Sequence, residues 1–130
     1  MAEALLETDL PDFKLHARGK VRDIYAVGDD FLMIATDRIS AFDHVLATGI
    51  PGKGQILNQL SVFWFNFLAD IVPNHFITAK VDLYPEPLKK YREQLRYRSM
   101  LVKRAEMSPI ECVVRGSARK MPNCCATSAS

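Results

Sequence analysis

Between Phe13 and Ala35 the chain carries three runs of β character joined by links of only a few residues. Phe13, Leu15 and Ala17 alternate with Lys14, His16 and Arg18, the period of a half-buried strand. Gly19 stands at the natural turn point, and Val21, Ile24, Tyr25 and Val27 make a second run. Gly28-Asp29-Asp30 then suits a hairpin turn into Phe31-Leu32-Met33-Ile34-Ala35, apolar throughout and fit for a central strand. Parallel crossovers need about a dozen residues or more. Links this short therefore commit the start of the chain to an antiparallel meander. Residues Met1 to Pro11 read as a short lead-in, at most a helical turn.

Beyond Ala35 the chain alternates punctuation with pattern. Asp37 to Gly54 holds Asp37, Ser40, Asp43, Gly49, Pro51, Gly52 and Gly54, and a loop of that length inside a compact domain is usually functional. Leu57, Leu60, Trp64, Phe67, Leu68 and Ile71 recur at helical spacing until Pro73 stops them. Phe63 and Phe65 widen that apolar stripe, so it is read as core, with the helix packed on a sheet and no functional role for Trp64. Phe76 to Ala79 is a further strand, Pro85 to Leu95 a polar helix tolerant of solvent on most sides, and Met100 to Val102 and Ile110 to Val114 two more β runs. The expected class is α+β, an antiparallel β-sheet with packed helices.

Composition narrows the partners. With 48% hydrophobic and 25% charged residues in 130, the chain is one globular domain and not a disordered one. No apolar run reaches the roughly 18 residues of a membrane span, and the acidic start, Met1 to Asp9, has no secretory pattern. The net charge of +2 comes from Arg119 and Lys120; Met1 to Gly116 carries equal numbers of acids and bases. Its basic residues are scattered among acids, which leaves no footprint for nucleic acid. Cys112, Cys124 and Cys125 cannot close a disulfide framework, and His16, His44 and His75 offer no metal spacing. A reduced, cytoplasmic chain without a membrane or nucleic-acid partner is the expectation.

Four segments carry chemistry. Arg18-Gly19-Lys20-Val21-Arg22 puts a glycine and flanking cations at a strand-to-strand turn. That is the composition of a lid over phosphates, though not Walker spacing, and equally that of a solvated basic hairpin. Asp37 to Asp43 offers two carboxylates, an arginine and a hydroxyl, able to hold a polar substrate or to close an Asx turn. Lys103 to Pro109 links two apolar strands. It serves either as an exposed loop or as a linker offering backbone groups to a flat heterocycle beside Met107. Glu111 and Arg115 lie four apart on one strand and share a face, as an ion pair or as ligands.

Taken together, GKVRDIY (Gly19 to Tyr25), ATDRISAFD (Ala35 to Asp43), GIPGKGQILNQLSVFWF (Gly49 to Phe65) and RSMLVKRAEMSPIECVVRG (Arg98 to Gly116) resemble the phosphoribosylaminoimidazole-succinocarboxamide synthases, the SAICAR synthetases of purine biosynthesis. The motifs occur in the family's order, over roughly residues 10 to 116. The resemblance implies a kinase-like N-terminal ATP-binding lobe of a ligase. That ligase joins L-aspartate to the carboxylate of carboxyaminoimidazole ribonucleotide (CAIR), giving SAICAR, ADP and phosphate. ATP would activate the carboxylate as an acyl phosphate for attack by the aspartate amine, with Mg2+ on the phosphates. By the same resemblance Gly19, Lys20, Val21 and Arg22 hold the ATP phosphates. The backbone of Arg104, Ala105, Glu106 and Met107 meets adenine, and Ser40, Asp43, Glu111 and Arg115 face the substrate.

The chain departs from the family after Arg115-Gly116. It continues Ser117-Ala118-Arg119-Lys120-Met121, without the further Gly-Ser that ends the family's phosphate-binding stretch. The chain accordingly divides into residues 1–116, the ATP-binding lobe, and 117–130, a divergent tail with no strand or helix signal, read as disordered. The family's second lobe, with the magnesium ligands and the catalytic residues, has no counterpart in the motifs found. The alternative to an active ligase is a catalytically inactive fragment that binds nucleotide or a partner.

Overall fold

The structure is a computed structural model and describes residues 3–114, Gly116 and the backbone of 125–127. The expected meander is present: β1 (Lys14–Arg18), β2 (Arg22–Val27) and β3 (Asp30–Ala35) pair antiparallel in succession. In the β2–β3 register Val27 faces Asp30, so Gly28 and Asp29 alone make the turn, and Gly28 takes it at φ 58°. A side chain resists that backbone; glycine does not. Two later strands complete the sheet, β6 (Phe76–Thr78) and β7 (Ser99–Lys103), in the order β1-β2-β3-β7-β6. Every pairing in it is antiparallel.

Strand alternation gives this sheet two unlike faces. Tyr25, Val27, Leu32, Ile34 and Leu101 point to one side and join Leu10, Val81, Tyr84, Leu88 and Leu95 in the core. That face is sealed by the lead-in, by a 3-10 turn (Val81–Leu83) and by two short helices, α2 (Glu86–Lys89) and α3 (Arg92–Leu95). Ser99 links the layers: its Oγ donates to the Leu95 carbonyl at 2.8 Å and lies 3.0 Å from the Tyr84 hydroxyl. Burial pushes the Tyr84 phenol up to about 12, against a smaller opposing effect of that contact. Among the described residues no buried side-chain nitrogen or oxygen lacks a hydrogen-bond partner.

The other face carries Arg22, Met33, Ala35 and Met100 and is covered in part by α1 (Lys53–Phe67). Contact is closest at Gly54, where an added Cβ would stand 2.1 Å from the Ala35 carbonyl oxygen. Asn58, one turn on, donates from Nδ2 to the carbonyls of Tyr97 (3.0 Å) and Ser99 (3.1 Å). Gly54 and Asn58 are the buried residues of the helix. The sheet-facing seam thus runs Gly54, Asn58, Ser61, Phe65 at helical spacing, and it is small and polar at its start.

The folded chain corrects several expectations. The apolar stripe of α1 is not core: Trp64 is 52% exposed and Ile71 75%, with Ile56, Leu60, Phe63 and Phe67 similarly open. Periodicity detects a stripe but not which side of the helix faces the sheet, and a carbonyl contact at Gly54 chose the other side. The segment Pro85–Leu95 is two helices, not one, and its Leu88 and Leu95 are fully buried. All five residues of β1 are exposed, because it is the outer edge of the sheet with no layer over it. The charged side chains on this edge guard it against pairing with other chains. Among its described residues the lead-in has no helical turn; it runs alongside the sheet, tied by Thr8 to Asp23 and by Leu5 to Asp37. The final β run is short, β8 (Ile110–Cys112), and it pairs not with the main sheet but with β9 (Cys125–Thr127). That strand stands inside the segment read as patternless; the other residues of 117–130 lie outside the described ones.

Candidate functional site

The turn between β1 and β2 is built around a buried arginine. Gly19 N–H donates to the Arg22 carbonyl at 2.8 Å, closing the loop on itself. Beneath it lies the Arg38 guanidinium, whose side chain is 8% exposed. Its Nε donates to the Lys20 carbonyl (3.1 Å), and its Nη2 to the carbonyls of Gly19 (2.8 Å) and Arg22 (3.2 Å). Nη1 donates to the Leu6 carbonyl at 2.6 Å, and Nη2 also meets the buried Asp23 carboxylate at 2.9 Å. Burial pushes the Asp23 carboxyl up, but the donors Arg38 and Thr8 outweigh it and hold it below the usual carboxylate range.

Asp37 is a second buried junction. Its carboxylate accepts from the N–H groups of Leu5 (2.9 Å) and Gly54 (2.8 Å) and from Arg98 Nη1 (3.0 Å). Burial again pushes upward and those donors prevail, so this carboxyl too sits low. One side chain thereby joins the lead-in, the first turn of α1 and the start of β7. The Asp37-Arg38 pair, in a segment read from sequence as able to hold a polar substrate or to close an Asx turn, is tied into the fold instead.

Ser40 and Asp43 lie beyond it on a small exposed hairpin of β4 (Ser40–Ala41) and β5 (His44–Val45). Its two turn residues, Phe42 and Asp43, both have positive φ, 50° and 66°. That conformation is uncommon for a bulky residue such as Phe42. The Lys20 ammonium reaches Asp43 in an ion pair, and its hydrogen bond and charge hold the Asp43 carboxyl low. Two segments that sequence alone kept separate thus meet at one place.

Between the sheet and α1 is a cavity of about 190 Å³, lined in part by Val21, Arg22, Ala35, Lys53, Asn58 and Met100. Typical ligand pockets hold roughly 300–1,000 Å³, so this is a half-site open on one side. The loop 19–22 stands at one end of β2. Arg104 to Met107 leave β7 at the other end, since Lys103 pairs with Asp30 next to the β2–β3 turn. At about 3.3 Å per residue, the length of β2 separates the two segments by roughly 17–20 Å. Arg104 lies over the Phe31 ring at 4.7 Å, and Met107 is almost fully exposed. Glu111 is exposed on β8, far along the chain from the loop. Arg115 falls outside the described residues, and β8 ends at Cys112, short of it.

Among the described residues no group of three or more His, Cys, Asp or Glu side chains could hold a metal ion. The carboxylate beside the loop, Asp43, is already paired with Lys20. These residues do not by themselves fit a Mg2+ site.

Known proteins resemble this chain in sequence and in fold. A family model described as SAICAR synthetase matches residues 15–121. The phosphoribosylaminoimidazole-succinocarboxamide synthase of Thermodesulfovibrio yellowstonii is 58% identical over 116 residues, covering 89% of this chain and 40% of that protein. That of Desulfotalea psychrophila is 60% identical over 119 residues, with the same two shares. Of solved structures, a SAICAR synthase matches with a TM-score of 0.75 at 42% identity, over 82% of this chain and 39% of that one. The SAICAR synthase of Saccharomyces cerevisiae, complexed with SAICAR, matches at 43% identity and the same TM-score, over 83% and 39%. This chain therefore spans about 40% of the length of the curated relatives it matches. With the family model matching residues 15–121 and the fold agreeing over 82% of the chain, the chain belongs to the SAICAR synthetase family.

Proposed function

We propose that this chain is the ATP-holding lobe of a ligase that joins L-aspartate to the carboxylate of CAIR, with SAICAR, ADP and phosphate as products. One observation carries the reading: a sheet face only half covered, with a basic loop at one end and an open linker at the other. An extended nucleoside triphosphate has that shape, a flat apolar base at one end and charge at the other. Gly19, Lys20, Val21 and Arg22 take the phosphates in this reading, and the Arg104–Met107 backbone takes the base. ATP supplies the energy that turns a poor acyl donor into a good one. The chain's own contribution is orientation: Lys20 sets a cation at the loop, and Asp43 holds that cation until the phosphates displace it. Ser40, Asp43, Glu111 and Arg115 are assigned to the substrate side, and the work to the cytoplasm; no described helix is long and apolar enough to cross a membrane.

A second reading rests on the donor set: with no group of carboxylates for Mg2+ among the described residues, the chain alone holds nucleotide without turnover. Calorimetric titration with ATP, followed by assay with ATP, Mg2+, L-aspartate and CAIR, tests both. Aspartate-dependent release of ADP together with SAICAR establishes the ligase in this chain; binding without turnover leaves the lobe. Lys20→Ala is expected to weaken ATP binding roughly tenfold. A wild-type chain that binds no ATP at all sinks the proposal.

A further inference from the structure

We infer that Arg38 is a positioning residue, whose guanidinium draws the carbonyls of Gly19, Lys20 and Arg22 inward and so presents the amide N–H groups of Lys20 and Val21 outward as a site for phosphate oxygens. The placement of phosphate at this loop rests on the function proposed above; the amide geometry does not.

In a trans peptide the C=O of one residue and the N–H of the next point in opposite directions. The Gly19 carbonyl points in to Arg38 Nη2 at 2.8 Å, so the Lys20 N–H points away from Arg38. The Lys20 carbonyl points in to Nε at 3.1 Å, so the Val21 N–H does the same. Among the described residues neither N–H has a partner, whereas their neighbours do: Gly19 N–H binds the Arg22 carbonyl, and the Val21 carbonyl accepts from Thr36 N–H at 3.0 Å. Two successive amides facing outward, beside the Lys20 ammonium, form a small concavity of partial positive charge. Nothing inside the chain calls for glycine at position 19, since an added Cβ would meet its nearest atom at an ordinary 3.6 Å. The bare backbone there serves the outer side of the loop.

Only arginine does this work. Its planar fork reaches five acceptors at once: the three loop carbonyls, the Leu6 carbonyl and Asp23 Oδ1. A lysine ammonium keeps the charge opposite Asp23 but has three donors at a single point and cannot span carbonyls of three residues. Asp23, itself fixed by the Thr8 N–H and hydroxyl at 3.1 and 2.7 Å, keeps the guanidinium in place. The clamp is therefore anchored to the sealed side of the sheet while acting on the open one.

The test monitors backbone amide resonances of Lys20 and Val21 in the full chain, by two-dimensional nitrogen–proton NMR, as inorganic tripolyphosphate is added. Both are expected to shift together in the wild type. In Arg38→Lys the same shifts are expected to need about tenfold more tripolyphosphate. Parallel titrations with adenosine and ATP are expected to show the preference for ATP over adenosine falling by a similar factor in Arg38→Lys, with adenosine affinity unchanged. Wild-type amides that stay still in tripolyphosphate overturn the inference, whatever the variant does, and so does an Arg38→Lys protein with the wild-type response. Amides that respond to tripolyphosphate in a chain that gains nothing from the adenosine moiety sustain the inference and sink the nucleotide assignment instead.

Discussion

Two helical regions of this chain exchange the roles their sequences advertise. The segment from Lys53 to Phe67 has a broad apolar stripe, yet Leu60, Phe63, Trp64 and Phe67 are more than half open to solvent. The segment from Pro85 to Leu95 looks polar, yet its two leucines, Leu88 and Leu95, are fully buried against β2, β3 and β7. The difference lies in what each helix meets. Short helices α2 and α3 bring one leucine each to an apolar sheet face. Helix α1 is held by a glycine against a carbonyl and by an asparagine on two more, so polar contact sets its orientation and leaves the stripe outside. Phe63, Trp64 and Phe67 then pack on one another, with ring centroids 5.2–5.7 Å apart.

The largest expected effect tests the joint between the two regions. Asp37→Ala leaves the buried Arg98 guanidinium without its carboxylate and frees the first turn of α1; a loss of about 3–5 kcal/mol is expected in urea denaturation. A loss below about 1 kcal/mol would mean that α1 is not held there. Next comes Leu88→Ala, expected to cost about 2–5 kcal/mol by the cavity it leaves.

Acid should act through the same junctions. The Asp23 and Asp37 carboxyls lie below their unfolded value near 3.9, so they stabilise the fold above that pH. The contribution is lost as pH falls through their lower folded values. Circular dichroism is expected to hold steady down to about pH 4 and decline only below it; unfolding that begins near pH 6 would contradict the two junctions.

The smallest effect belongs to the stripe. Trp64→Ser is expected to change stability by less than about 1 kcal/mol, because half of the indole already faces water. The emission of this single tryptophan should also move little on unfolding. A blue-shifted native spectrum would show the stripe covered and would erase the contrast with Leu88.

Much of this was legible in the sequence, for local reasons. The β2–β3 hairpin is written in Gly28-Asp29, and the existence of α1 in its period, because both depend on neighbours in the chain. The loop 19–22 was visible as a basic turn, and Lys20 and Asp43 as separate candidates. Their pairing was not visible, nor was the use of Asp37 and Arg38 as internal ties. Those outcomes depend on partners far away in sequence: Leu5, Leu6, Gly54 and Arg98. Alternation in β1 was equally real, but exposure is decided by whether a second layer lies above a strand, and β1 has none. The available signal for Arg38 was its place three residues after the end of the apolar run Phe31 to Ala35, next to an aspartate.

The order of strands has a consequence for how the chain is made. The meander is complete by Ala35, but the neighbour of β3 in the finished sheet is β7, and the bond from Arg98 to Asp37 closes a gap of 61 residues. During synthesis β3 therefore emerges long before its partner and waits as an open edge of Phe31, Leu32, Met33 and Ile34. Closing so long a loop is slow, and an apolar edge left open invites pairing with other chains. Conditions that shield this edge until Ser99 has been made are therefore expected to raise the recovery of folded protein.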